Sequence, residues 1–248
     1  MTNPLSQKMQ REWNERAVID PYHYVLNRKG LGEWSTAEFL ATGEENCVRF
    51  LDPFCTEFNI STHQRIALEI GCGAGRESWA LAKRFRRVIG LDVSSAMIDL
   101  ARQNTEATNV DFRVGNGVNL DVVETDSVSF VYSAIVFQHI PDVTVQYDYL
   151  REVGRVLKPG GWFFIHLYAD EKDYADKLRR WQIRAEAGDL MGWSEAALPE
   201  LQDERFLTSM QTPVNYALTL AVLEEAGLEL KHDVDANTFA WRIGGQKK

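Results

Sequence analysis

From residue 65 to residue 168 the chain alternates short apolar runs with segments of helical period, and no other feature limits the fold as strongly. The runs are RIALEI (65–70), VIGLDV (88–93), VDFRV (110–114), SVSFVYSA (127–134) and WFFIHLY (162–168). The first ends at a glycine, as a strand buried on both faces of a parallel sheet does. Between the runs, residues 76–86 place Trp79, Ala80, Ala82 and Phe85 on one helical face, and Ser94 or Ser95 caps a helix through Met97, Ile98, Leu100 and Ala101. A third helix spans 142–157 and precedes a KPGG turn (158–161). Further on, a helix over 214–226 ends at Gly227, a good C′ residue. LELKHDV (228–234) and TFAWRI (238–243) are separated by a few turn-prone residues and predict an antiparallel hairpin. Together these features predict an α/β fold built on a doubly wound, mostly parallel sheet.

Two stretches stand outside the alternation. Residues 1–62 read as helix and loop, and residues 169–212 separate the fifth strand from its following helix. Both are expected over the carboxyl edge of the sheet, where ligands bind in such folds. The expected organisation is a helical lid or cap over 1–62 and a main domain over 63–248, with 169–212 inserted above the substrate. Four of the seven tryptophans, Trp13, Trp34, Trp181 and Trp193, fall in these covers, so their surface is aromatic.

Charge and cysteine usage narrow the function classes. With 27 basic and 36 acidic side chains and a net charge of −9, the chain lacks the basic balance that a polyanion requires, and no nucleic-acid partner is expected. Cys47, Cys55 and Cys72 are an odd number without ligand spacing and are expected as reduced core residues; no metal is expected either. No run of about 18 apolar residues is present to span a bilayer. The start, MTNPLSQKMQREWNER, is too polar for a secretion signal, so a cytoplasmic location without a membrane partner is expected.

The first strand runs into LEIGCGAGRE (68–77). A phosphate-binding P-loop requires a lysine after its last glycine, and none follows Gly75. A dinucleotide fingerprint requires glycine in the sixth place from Gly71, where Arg76 stands. Small residues here let backbone approach a ligand closely, and the first amides of a helix favour a carboxylate. Glu69 would repel a phosphate yet suits an ammonium group, so the loop prefers a zwitterion. Asp92 ends the second strand, where an acid can accept both hydroxyls of a ribose. Gly115-Asn116-Gly117 follows the third strand and puts a short amide on a tight turn, able to meet the edge of an adenine. Amino-acid, ribose and base contacts on consecutive loops describe S-adenosylmethionine.

These residues resemble the class I S-adenosylmethionine-dependent methyltransferases, in particular their small-molecule branch. The resemblance covers about 64–168 and resumes over 212–243, and LEIGCGAG, GLDVSSAMIDLAR, SAIVFQHIPD and REVGRVLKPGG carry it in combination. It implies a seven-stranded Rossmann-like sheet of order 3-2-1-4-5-7-6. It also implies that Glu69, Gly71, Cys72, Gly73 and Gly75 surround the methionine end and that Asp92, followed by Val93, binds the ribose. Met97 would pack near the adenine, beside Asn116 and Gly117. Relatives commonly carry Gly-Asp at this turn, and Asn116 departs from them while keeping an oxygen that can accept from the adenine amino group. Arg76 is expected near the methionine carboxylate or on the helix surface, and Ser133 and Gln138 along the methyl-end pocket.

The sulfonium group supplies the reactivity, so the chain must align the acceptor and exclude water. His139, in the loop after the fourth strand, is the candidate base for a hydroxyl or ammonium acceptor, and His166, ending the fifth strand, is the second candidate. Tyr22, His23 and Tyr24 form a lid over the cofactor or a strut packed on the domain. Trp181 and Trp193, among mixed charges, suit a sugar or an aromatic metabolite. The expected activity is therefore O- or N-methyl transfer to a small molecule. A nucleotide-dependent oxidoreductase and a non-catalytic cofactor-binding subunit are the competing expectations.

Overall fold

The apolar runs form the strands that their pattern predicts, and a computed structural model describes residues 4–26, 28–169, 212–235 and 241–248. The strands are β1 (Ile66–Ile70), β2 (Arg87–Asp92), β3 (Val110–Val114), β4 (Val128–Ser133), β5 (Leu157–Leu167), β6 (Leu228–Val234) and β7 (Trp241–Lys247). They make one sheet of order β3-β2-β1-β4-β5-β7-β6. The first five run parallel, and β7 lies antiparallel between β5 and β6.

The helices are α1 (Pro4–Ile19), α2 (Pro21–Leu26), α3 (Thr36–Asn46), α4 (Asp52–Glu57), α5 (Arg76–Ala82), α6 (Ser95–Asn104), α7 (Val143–Val156) and α8 (Tyr216–Glu225). Short polar side chains start several of them. Ser94 accepts from the Met97 amide, Asp142 from Thr144 and Asn215 from Leu218, while Ser35 and Glu38 form a reciprocal capping box.

Because side chains alternate along a strand, each strand feeds two cores. Leu68, Ile70, Val131, Phe163 and Ile165 pack with Leu150 and Val153 of α7 and with Val222 and Leu223 of α8. Ala67, Phe130, Tyr132, Trp162 and Phe164 pack on the opposite face with Ala80, Leu81, Leu51 and Phe54. The segment before β1 therefore divides. Its α4 and the π-helical turn Cys47–Leu51 close a face of the sheet, while α1 and α2 lie at the carboxyl edge beside the cavity described below.

Several local boundaries differ from the sequence reading. The helix expected over 76–86 stops at Ala82, because the Asn109 side-chain amide donates to the Ala82 and Phe85 carbonyls at 2.9 and 3.1 Å and holds the chain in a turn. The expected KPGG turn is drawn into the start of β5. Leu157 pairs with Val128, the register shifts before Phe130, and Gly160 takes the left-handed backbone. Val214 forms a bridge with Ala169 instead of opening α8. The last strand is centred later than expected, running to Lys247, and residues 236–240 lie outside the described residues. Its Gly244 admits the Phe54 ring, which would stand 2.5 Å from an added Cβ.

Candidate active site

The carboxyl ends of β1 and β2, the turn after β3 and the loop after β4 open on one cavity, with α1 and α2 as its outer wall. Its empty space is about 940 Å³ when the solvent-open space at its mouth is counted. Glu69, Gly71, Cys72, Gly73, Arg76, Asp92, Val93 and His139 all line it.

The glycine loop is fixed to the end of β2. The amides of Gly71 and Cys72 both donate to the Leu91 carbonyl, at 2.7 and 2.9 Å, and the Gly73 amide donates to Asp92 Oδ2 at 2.8 Å. Asp92 Oδ1 accepts from the Ser94 amide at 2.8 Å. One carboxylate thus fastens two turns, and each oxygen keeps lone-pair capacity for a ribose hydroxyl. Burial pushes the Asp92 carboxyl above its usual range, against the pull of these bonds. Gly71 has φ +76°, and an added Cβ would stand 2.4 Å from both Val136 γ-methyls. Gly75, at φ +87°, opens α5. Only glycine enters this backbone region without strain.

Beside the glycine loop, Glu69, Arg76, Glu77 and Cys72 line the cavity and are buried in low-dielectric surroundings. Glu69 is buried and accepts from Ser78 Oγ; burial and the neighbouring Glu77 push its carboxyl up. Arg76 is also buried. It reaches the Thr42 carbonyl at 3.3 Å and Thr42 Oγ1 at 3.4 Å, and pairs with Glu77 at 3.1 Å. Burial lifts the Cys72 thiol far above its ordinary value, making it a neutral wall residue.

Other expected contacts are placed differently. Asn116 turns inward on its own loop, where its oxygen accepts from the amides of Val118 and Asn119 at 2.8 and 3.0 Å. Gly115 lines the cavity in its place. Met97 and Gln138 are buried away from the cavity lining, and Ser133 Oγ donates across the sheet to the Ile70 carbonyl at 2.9 Å. Gly117 is held by α1, its carbonyl accepting from Ser6 Oγ at 3.0 Å.

That contact belongs to a row along α1 which sequence reasoning missed. Ser6, Gln10 and Asn14 recur every four residues and so share a helix face. Gln10 Nε2 donates to the Val93 carbonyl at 3.0 Å, and Asn14 Oδ1 accepts from Ser94 Oγ at 2.7 Å and the Ala96 amide at 3.3 Å. On the adjoining face, Met9 and Trp13 line the cavity.

The loop after β4 supplies Ala134, Ile135, Val136, His139 and Ile140. Ile135 adopts φ +60°, costly for a β-branched residue and typical of strain held at a functional site. The His139 ring meets Trp13 edge-on, with centroids 5.8 Å apart, and the Arg16 guanidinium lies 4.4 Å from the Trp13 centroid and 5.5 Å from that of Tyr24. His166, on β5, lies opposite Arg242 of β7 in the sheet register and is not part of the lining.

Of the Tyr-His-Tyr segment, Tyr24 faces the cavity. Tyr22 instead stacks on Phe39 and bonds Asn104 at 2.9 Å and Thr36 at 3.0 Å, and His23 Nδ1 meets the Lys29 carbonyl at 2.8 Å. Trp181 and Trp193 lie outside the described residues. Among the described residues, no group of His, Cys, Asp or Glu could hold a metal ion, and no helix is long and apolar enough to cross a membrane.

Residues 68–165 match the family model described as "Methyltransferase domain". The ubiquinone biosynthesis O-methyltransferase of Xanthomonas oryzae pv. oryzae is 31% identical over 100 residues, 40% of this chain and 41% of that enzyme. The N-demethylindolmycin N-methyltransferase of Streptomyces griseus is 34% identical over 94 residues, 38% of this chain and 40% of that enzyme. The match therefore spans well under half the length of either relative. In fold, the magnesium protoporphyrin IX methyltransferase of Synechocystis PCC 6803, solved with bound S-adenosylhomocysteine, superposes with a TM-score of 0.64 at 11% identity, covering 98% of this chain and 100% of that one. Glycine loop, β2 carboxylate and strand order agree with that match: over residues 68–165 this chain is similar to a methyltransferase domain.

Proposed function

We propose that the chain transfers a methyl group from S-adenosylmethionine to an oxygen or nitrogen of a small-molecule acceptor. The observation that carries this reading is His139, whose imidazole stands in the wall of the cofactor cavity against Trp13. The names of the two relatives, one an O- and one an N-methyltransferase, support the same acceptor atoms.

S-adenosylmethionine, when bound, supplies an electrophilic methyl group that a lone pair displaces from sulfur. The chain's own residues do the rest. Asp92 accepts from the ribose hydroxyls, and Met9, Val93 and Gly115 wall the base. Glu69, Arg76 and the glycine loop surround the amino-acid end. His139 accepts the proton that an acceptor hydroxyl or ammonium loses, a task suited to an imidazole with an ordinary value of about 6.5. Trp13, Tyr24, Ile135 and Val136 exclude water and present the apolar and aromatic surface that suits a planar ring.

Helices α1 and α2 serve as the lid of this site. Acid-rich composition favours a small molecule over nucleic acid as partner, in a cytoplasmic setting. The test is turnover of methyl-labelled S-adenosylmethionine on a panel of phenols, sugars and amines. Transfer to oxygen or nitrogen is expected, with His139→Ala lowering kcat by about a hundredfold and leaving S-adenosylhomocysteine affinity unchanged. Labelling of carbon alone, or full kcat in the variant, overturns the reading.

A further inference from the structure

We infer that Glu77 is the anionic partner of the donor's α-ammonium group, with its neighbour Arg76 facing the α-carboxylate. This rests on the cofactor reading of the cavity and assigns a residue that the glycine-loop motif does not include.

Three carboxyl groups and one guanidinium line the cavity: Glu69, Glu77, Asp92 and Arg76. Asp92 closes the end of β2 and is tied to Gly73 and Ser94, which commits it to the nucleoside side. Glu69 sits beneath the loop on Ser78 Oγ, and burial together with Glu77 favours its protonated form. Neither is a ready anion for an ammonium group.

Glu77 is placed differently. Its Oε1 gathers three donors: Asn46 Nδ2 at 2.7 Å, Arg76 at 3.1 Å and Tyr132 Oη at 3.4 Å. Its Oε2 takes part in none of these bonds, although the residue is only 4% exposed and lines the cavity. A carboxylate anchored through one oxygen and uncommitted at the other is arranged to accept a charged N–H. For the α-carboxylate the loop backbone offers little alternative to Arg76, since the amides of Gly71, Cys72, Gly73 and Gly75 all donate within the protein.

Arg76 completes the pattern. Its contacts to Thr42 orient the guanidinium, and the adjacent pair presents one positive and one negative group on the same wall. A buried ion pair is seldom a source of net stability. A zwitterionic ligand accounts for keeping one on a cavity wall, because each ligand charge meets its opposite.

The test is calorimetry with two probes, S-adenosylhomocysteine and 5′-methylthioadenosine, which share the nucleoside and thioether but differ in the amino-acid group. Glu77→Gln is expected to weaken S-adenosylhomocysteine by about 30-fold, the loss of one charge-assisted hydrogen bond, and to leave 5′-methylthioadenosine within about threefold. Asn46→Ala removes an anchor from outside the cavity and is expected to weaken S-adenosylhomocysteine alone, by severalfold. If either variant weakens both probes alike, Glu77 is only a tie between α3 and α5; if it weakens neither, Glu77 does not touch the ligand. Both results overturn the assignment. Wild-type protein that binds neither probe overturns the cofactor site itself, and the assignment with it.

Discussion

Replacing Gly71 by alanine tests whether the donor loop and the loop after β4 interlock as described. Two costs add. A non-glycine residue in the left-handed region costs roughly 1–2 kcal/mol, and Gly71 holds φ +76°. The new methyl would stand 2.4 Å from both Val136 γ-carbons and 2.9 Å from its Cβ, an overpacking that costs roughly 1–3 kcal/mol. The expected destabilisation is therefore about 2–5 kcal/mol, a fall in Tm of roughly 5–15 °C for a chain of this size. Val136→Ala removes the two closest contacts but neither the third nor the backbone strain. In thermal or urea unfolding of the two single variants and the double variant, the double is expected to be less destabilised than the sum by about 1–2 kcal/mol. Strict additivity, or a Gly71→Ala variant within about 0.5 kcal/mol of wild type, would refute the contact.

Other outcomes follow from the same geometry. Asp92→Ala should reduce S-adenosylhomocysteine affinity by more than about a hundredfold, for two lost hydrogen bonds to a charged group, while circular dichroism retains the fold; unchanged affinity in calorimetry means that the ribose site lies elsewhere. Tyr22→Phe removes the bonds to Asn104 and Thr36 and should cost about 1 kcal/mol in unfolding with no effect on cofactor affinity, as a strut would; a loss of affinity would return Tyr22 to the lid. The Glu69 carboxyl is raised in the fold, so the folded state holds its proton more tightly than the unfolded chain does. Its contribution to stability is present below about pH 4.3 and lost as pH rises through the raised value. The Tm of wild type should fall over that interval more steeply than that of Glu69→Gln, and parallel profiles would contradict the burial of this charge.

The parallel core was legible because burial on both faces forces continuous apolar runs, and RIALEI, VIGLDV and WFFIHLY all became strands over nearly their full length. Part of the cavity lining was legible for a related reason: loops at the carboxyl ends of β1 and β2 are local in sequence, so Gly71 and Asp92, which both line it, announce themselves by spacing. Contacts made across the chain left no such mark. Ser6, Gln10 and Asn14 carry no signal in the sequence, because the loop groups they meet lie 80 or more residues away. Glu77 carries none either, and its partner Asn46 lies 31 residues upstream. Asn116 and Tyr22 each have the right chemistry for a ligand but bond other protein groups: Asn116 within its own turn, as short polar side chains often do, and Tyr22 with Thr36 and Asn104.

The placement of α1 has a thermodynamic consequence. Its Met9 lines the cavity, as does its Trp13 one turn later, against His139. On the proposed function, one rigid rod belongs to both the donor and the acceptor site. Whatever free energy the donor gives up in ordering that rod, the acceptor need not supply again, and reciprocity requires the acceptor to tighten the donor by the same factor. Saturation with one substrate should lower the apparent dissociation constant of the other, and detachment of the helix should erase that coupling before it abolishes either affinity.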